Sequence, residues 1–173
     1  EYFTLFCREQ KLEYAQKMLD NGFRITEDIG ITIFHHAANW GHKSVLELLF
    51  NNGYRFKERD RGTVIEAVKT SIRDGYIGVA KLVLGHLKPV KKEMDYLLWW
   101  VCEIDDIDGA KLALEMGADP NASKLLAFEE ACTHKNYHIL SFMAACGAVI
   151  SDEFIEDQPD QEVREYLKTL QIK

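Results

Sequence analysis

Proline is scarce in this chain: three residues in 173, at positions 89, 120 and 159. So few breaks leave long stretches free to form helices. They also argue against a string of flexible linkers. No apolar run approaches the roughly 20 residues that cross a bilayer as a helix, so no membrane insertion is expected. No signal-peptide pattern opens the sequence. The first residue is Glu1 and not Met, so the chain is expected to be a trimmed piece. Paired C-x-x-C cysteines are missing; the four cysteines stand alone at 7, 102, 132 and 146. Positive charge is also short. Lys and Arg number 21 against 28 Asp and Glu, a net charge of -7, and the densest basic run is only "KPVKK" at Lys88–Lys92. An acidic chain repels a phosphate backbone unless its cations gather on one face, so nucleic acid is not expected as a partner. Nor is there a Gly-rich phosphate loop, a G-x-S-x-G or an H-E-x-x-H. The acid pairs Asp105–Asp106 and Glu129–Glu130 read as solvated surface. No catalytic residue and no cofactor is expected on these grounds.

What the chain does contain is apolar residues, 47% of the total, enough for a folded core. They are spaced for helices. In "TIFHHAANWGHKSVLELLFNNG" (Thr32–Gly53), Val45, Leu48 and Leu49 sit at i, i+3 and i+4, the stripe of an amphipathic helix. Phe34, Ala37 and Ala38 repeat the spacing on what reads as a shorter helix before it. Gly41 suits a left-handed stop between the two. Thr32 is the expected N-cap, and Gly53 ends the second helix. A helix pair this small cannot bury its own face, which prompts a search for copies. Gly22, Gly53, Gly117 and Gly147 all follow comparable helices, at spacings of 31, 64 and 30 residues. The double spacing asks for a hidden copy, and "GVAKLVLGHL" at Gly78–Leu87 supplies it.

The segment Gly30–Gly53 resembles an ankyrin repeat, whose pattern is G-x-T-P-L-H-x-A-A-x-x-G-H-x-x-V-V-x-L-L-L-x-x-G. Gly30, Thr32, His35, Ala37, Ala38, Gly41, His42, Val45, Leu48, Leu49 and Gly53 match it; Ile33 and Phe34 replace the usual Pro and Leu. "GADPNA" at Gly117–Ala122 is similar to the family's finger segment, with Pro120 for the usual Val. The resemblance implies an all-α fold, an ankyrin-repeat solenoid of about five helix-turn-helix repeats (1–27, 28–60, 61–92, 93–122, 123–150). A polar-faced capping helix is expected in 151–173, started at Pro159–Asp160, with Val163, Tyr166, Leu167 and Leu170 on its apolar side. The third repeat carries about three extra residues between Ala67 and Gly75, expected to lengthen its first helix or bulge its turn.

Register also assigns the side chains that could suggest chemistry. The resemblance implies that the His35 ring bonds loop backbone and that His42 belongs to the turn. Adjacent His35 and His36 point about 100° apart on a helix and cannot share a metal. His134 and His138 are four apart, but a turn is expected between them, and no metal site is expected. Cys7, Cys102 and Cys132 all fall on the position of Ala38, which calls for a small buried residue. They are expected to be reduced packing residues of a cytoplasmic protein, because neighbouring repeats lie beyond disulfide reach; a monomer is expected, with Cys146 partly exposed.

The family binds other proteins on the concave surface lined by its fingers and first helices. The resemblance therefore implies a non-catalytic module that takes a protein partner. The candidate residues are His36, Asn39 and Trp40 in the second repeat, Trp100, Glu103 and Ile104 in the fourth, and Thr133 and His134 in the fifth. Arg55 and Arg59 of the finger "YRFKERDR" add a basic rim. Trp99, on the position of His35, is expected to be buried at the loop base. The alternative is the substrate-recognition or targeting domain of a larger enzyme or effector whose catalytic part lies elsewhere.

Overall fold

The computed structural model describes residues 1–171, Lys124 by its backbone alone; the last two residues of the expected capping segment lie outside them. The fold is all-α, with no strand among the described residues. The helices are α1 (Tyr2–Arg8), α2 (Leu12–Asp20), α3 (Glu27–Asn39), α4 (Lys43–Asn51), α5 (Arg61–Arg73), α6 (Ile77–Leu87), α7 (Lys91–Glu103), α8 (Ile107–Glu115), α9 (Leu126–Thr133), α10 (Tyr137–Ala145), α11 (Asp152–Glu156) and α12 (Gln161–Gln171). They form two compact units, one of Glu1–Pro89 and one beginning at Val90.

In the first unit, α1 packs on α3 and α3 on α5, while α2 packs on α4 and α4 on α6. The helices thus form two layers, with Phe3, Phe34, Leu46, Leu49, Ile72 and Leu84 fully buried. In the second unit α7 packs on α9 and α8 on α10 in the same manner. Its core includes Met94, Leu97, Leu98, Phe128, Leu140 and Leu167. On α4 the buried stripe is Val45, Leu46, Leu49 and Phe50, with Leu48 half-buried.

Five helix pairs turn by one device. Two positions past each first helix stands a residue of positive φ: Gln10 (56°), Gly41 (69°), Gly75 (80°), Asp105 (55°) and Lys135 (55°). The next backbone N–H then donates to the carbonyl five residues back: Lys11 to Phe6 (2.8 Å), His42 to Ala37 (2.8 Å), Tyr76 to Ser71 (2.7 Å), Asp106 to Val101 (3.0 Å) and Asn136 to Ala131 (2.9 Å). This bond satisfies a carbonyl that the ending helix would otherwise orphan. Second helices end likewise at Gly22, Gly53, Gly117 and Gly147, with N–H bonds from Phe23 to Met18, Tyr54 to Leu49, Ala118 to Ala113 and Ala148 to Met143. The pair α5–α6 departs from this. No glycine ends α6, which runs 11 residues, and left-handed Lys88 (φ 51°) takes the place.

Several sequence expectations are corrected here. The first helix of the matching repeat is the longer of its two, 13 residues in α3 against 9 in α4. Its N-cap is Thr26, whose Oγ1 accepts from Ile29 N–H at 3.5 Å. Thr32 lies inside the helix and its hydroxyl donates to the Asp28 carbonyl at 2.7 Å. The extra residues of the third repeat leave its helix at 13 residues and its turn unbulged. They lie before it, between Gly53 and Arg61, where Glu58–Asp60 forms a 3-10 turn. A loop absorbs three residues at small entropic cost; inside a helix they would rotate the buried stripe by most of a turn.

Beyond α10, Ser151 caps α11 through a bond from Phe154 N–H (3.1 Å), and Asp160 caps α12 through one from Val163 N–H (3.1 Å). Val163 and Leu167 of α12 are buried. Tyr166 lies against Tyr137, ring centroids 4.7 Å apart, and its hydroxyl donates to the Tyr137 carbonyl at 3.0 Å.

Candidate functional site

The first helices of each unit bring the sequence candidates to their C-terminal ends. In the first unit, Trp40 follows the last turn of α3 and is 65% exposed. Its only ring neighbour among the described residues is His36, centroids 6.3 Å apart; His36 in turn lies 5.5 Å from His42. Burial, the Arg8 cation and His42 together hold the half-exposed His36 below the usual histidine range. Nδ1 of His42 is buried without a hydrogen bond. Asn39 is exposed, beside a shallow concavity of about 310 Å³ formed with His35, Gly62, Thr63 and Glu66. The His35 ring makes no hydrogen bond to loop backbone among the described residues; it faces this concavity and packs beside Phe34.

The two rim arginines are already engaged. Arg59 is ion-paired with Glu27 and lies 3.8 Å from Asp60. Arg55 donates through Nη1 to the carbonyls of Phe50 (2.9 Å) and Tyr54 (2.6 Å). Tyr54 itself is buried over Gly30 of α3. A Cβ on Gly30 would stand 2.2 Å from the ring, so only glycine admits it there.

In the second unit, Trp100 and Glu103 are half-buried on α7, and Ile104 is exposed just past its end. The carbonyls of Cys102 and Glu103 accept from the Asn136 side chain at 2.8 and 3.0 Å. On α9, exposed Thr133 returns its hydroxyl to the Glu129 carbonyl (3.1 Å), and Nδ1 of His134 lies 3.1 Å from the Glu130 carbonyl. His134 ends α9 while His138 lies in α10, with the turn at Lys135 between them. Among the described residues no three metal-binding side chains converge.

Trp99 is not buried at a loop base. It is half-exposed, donates from Nε1 to Glu130 Oε2 at 2.9 Å and stacks on Tyr96, centroids 5.6 Å apart. Together with Leu126 and Ala127 these rings wall a cleft of about 390 Å³. Glu130 explains the outward turn: a ring N–H with a carboxylate partner at the surface gains nothing from burial. The i, i+3 spacing of Tyr96 and Trp99 on one helix was the signal for this aromatic wall.

Cys7, Cys102 and Cys132 are buried free thiols and Cys146 is an exposed one. Burial pushes Cys7 up to about 11 and Cys102 and Cys132 up to about 12, so none of the three supplies a thiolate at neutral pH. No helix is long and apolar enough to cross a membrane. Searches of family models, curated proteins and solved structures find no match to this chain.

Proposed function

We propose that this chain is an ankyrin-type repeat protein that binds a protein partner along the outer ends of its first helices and its finger loops, without catalysing a reaction on it. Support for the repeat reading comes from the five turns of one hydrogen-bonding pattern. The observation that carries the binding reading is Trp40. A tryptophan 65% exposed at the end of a helix sits unfavourably in water unless something covers it, and tryptophan is the residue most enriched at binding hot spots. In the second unit, Trp100 and Ile104 lie at the corresponding end of α7, and the Tyr96–Trp99 cleft offers further apolar surface along the same helix.

The test is affinity capture with the wild-type chain and with a Trp40→Ala, Trp100→Ala variant as control. A partner retained by the first and lost by the second, at unchanged helical circular dichroism, supports the reading. An anchor of this type is worth about 2 kcal/mol or more, so the partner's Kd should weaken about 30-fold. A partner held equally by both variants places the interface elsewhere.

A further inference from the structure

The loop Tyr54–Arg61 and the end of α6 enclose a concavity of about 510 Å³ in the first unit. Its walls carry Arg55, Lys57, Arg61, His86 and Lys88, and a single acid, Glu58. That is a local excess of cations in a chain of net charge -7. We infer that this concavity receives a compact dianionic group, a phosphomonoester carried by a ligand or a modified side chain. The inference is independent of the tryptophan anchors proposed above, because neither Trp40 nor any residue of the second unit takes part; it shares only the finger loop with that surface.

Three arrangements support it. Arg55 is preorganised: Nη1 is held by two backbone carbonyls, while its Nε and Nη2 groups make no hydrogen bond among the described residues. A guanidinium fixed in this way presents the fork that matches phosphate oxygens. Lys88 stands at the mouth with its backbone left-handed and makes no ion pair among the described residues. A lysine at a helix C-terminus is favourable in itself, but that accounts for one cation and not for the others gathered over the same space. His86 lies flat on Phe50, ring centroids 4.0 Å apart, and burial and the Arg55 cation hold it below the usual histidine range. A dianion placed between Arg55 and His86 reverses that balance and favours the protonated ring. Arg61 and Lys57 close the sides; they are shared with Glu58 at 3.6 Å and Glu27 at 3.9 Å. The net negative body disfavours an extended phosphate backbone, whereas one phosphoryl group, with about two charges and three acceptor oxygens, fits inside. The 3-10 turn Glu58–Asp60, which precedes α5, contributes Glu58 to the wall.

Sulfate tests the site without titrating near neutral pH. In the full chain, sulfate should raise the His86 titration midpoint, followed by ring proton resonances, and leave the other five histidines unmoved. By calorimetry, Lys57→Gln with Lys88→Asn should weaken sulfate and inorganic phosphate binding about tenfold or more; asparagine tolerates the left-handed backbone. Arg59→Gln, which lies outside the concavity, should bind as wild type. A phosphoserine peptide that binds more tightly than inorganic phosphate names a modified protein as the source; equal binding names a small phosphorylated ligand. Failure of sulfate to move His86 overturns the inference, as does an equal loss in Arg59→Gln. So does an oligonucleotide that binds more tightly than any single phosphate.

Discussion

The two units build the same helix pairs from different chemistry. In the first, glycine holds the turns after α3 and α5, and rings are laid against one glycine inside α3 and one in the turn that follows it. Tyr54 covers Gly30, and Tyr76 covers Gly41, where a Cβ would meet the ring at 2.7 Å. In the second, left-handed turn positions fall to Asp105 and Lys135, and polar side chains brace one pair to the next. Asn136 ties the end of α7, Asp105 accepts from Ile139 N–H at 3.3 Å, and Asn121 links the carbonyl of Gly147 to the N–H of Val149. One geometry is thus reached by close packing or by hydrogen bonds, and the two fail differently. Packing of a ring on glycine fails when volume is added. A brace fails when a partner is removed and a buried carbonyl is left bare.

The largest expected effect is loss of the closing segment of the second unit. Removing residues 151–173 takes away Ile155, Val163 and Leu167, all buried, and uncovers Ile139 and Met143. At about 1.5–3 kcal/mol for each buried side chain, this should cost on the order of 5 kcal/mol and cause association, read by melting and light scattering. A truncated chain that stays monomeric with an unchanged Tm would show that the segment closes nothing.

Gly30→Ala comes next. In an open helix the change gains about 1 kcal/mol. Against the Tyr54 ring, overpacking should reverse the sign and cost about 1–3 kcal/mol, measured by denaturant unfolding. A neutral result would mean that the ring moves aside freely. For the second unit the matching change is Asn136→Ala, expected to cost about 1–2 kcal/mol by leaving two carbonyls without their donor.

Acid should separate the units by a smaller margin. His36 and His86 of the first unit are both held below the usual histidine range. The unfolded chain therefore takes up protons first, and stability falls as pH drops below about 6.5. In the second unit the backbone N–H of Asn121, then Lys91, holds the Asp119 carboxyl low, and Lys135 does so for Asp160. Their contribution persists above the unfolded value of about 3.9 and is lost only as pH falls through the folded one. Hydrogen-exchange protection, corrected for intrinsic rates, should drop in α3–α4 between pH 7.5 and 5.5 while α7–α10 hold. His36→Gln should shrink that drop; an equal drop in both units would contradict it.

This contrast also explains what could be read in advance. Gly41 and Gly53 announce their turns because glycine is the residue that left-handed backbone favours. The alignment of Cys7, Cys102 and Cys132 with Ala38 holds in the turn bonding as well. Lys88 and Lys135 reach the same backbone through tertiary context, which leaves no local mark, so the end of α6 and the braces of the second unit were hidden. Thr32 misled because it lies where a family match suggests a beginning, although Thr26-Glu27-Asp28 is the better start by residue type. Trp99 was misplaced because its carboxylate partner lies 31 residues away, beyond any local pattern.

The three interior thiols form a set of clocks. Cys7 lies in the first unit, Cys102 and Cys132 in the second, and each is silent toward a labelling reagent while its helix pair stays closed. Exposed Cys146 reacts at once and marks time zero. The delay before each later label therefore measures how often that part of the molecule opens. Without any substitution, the chain reports which of its two ways of holding a turn lets go first.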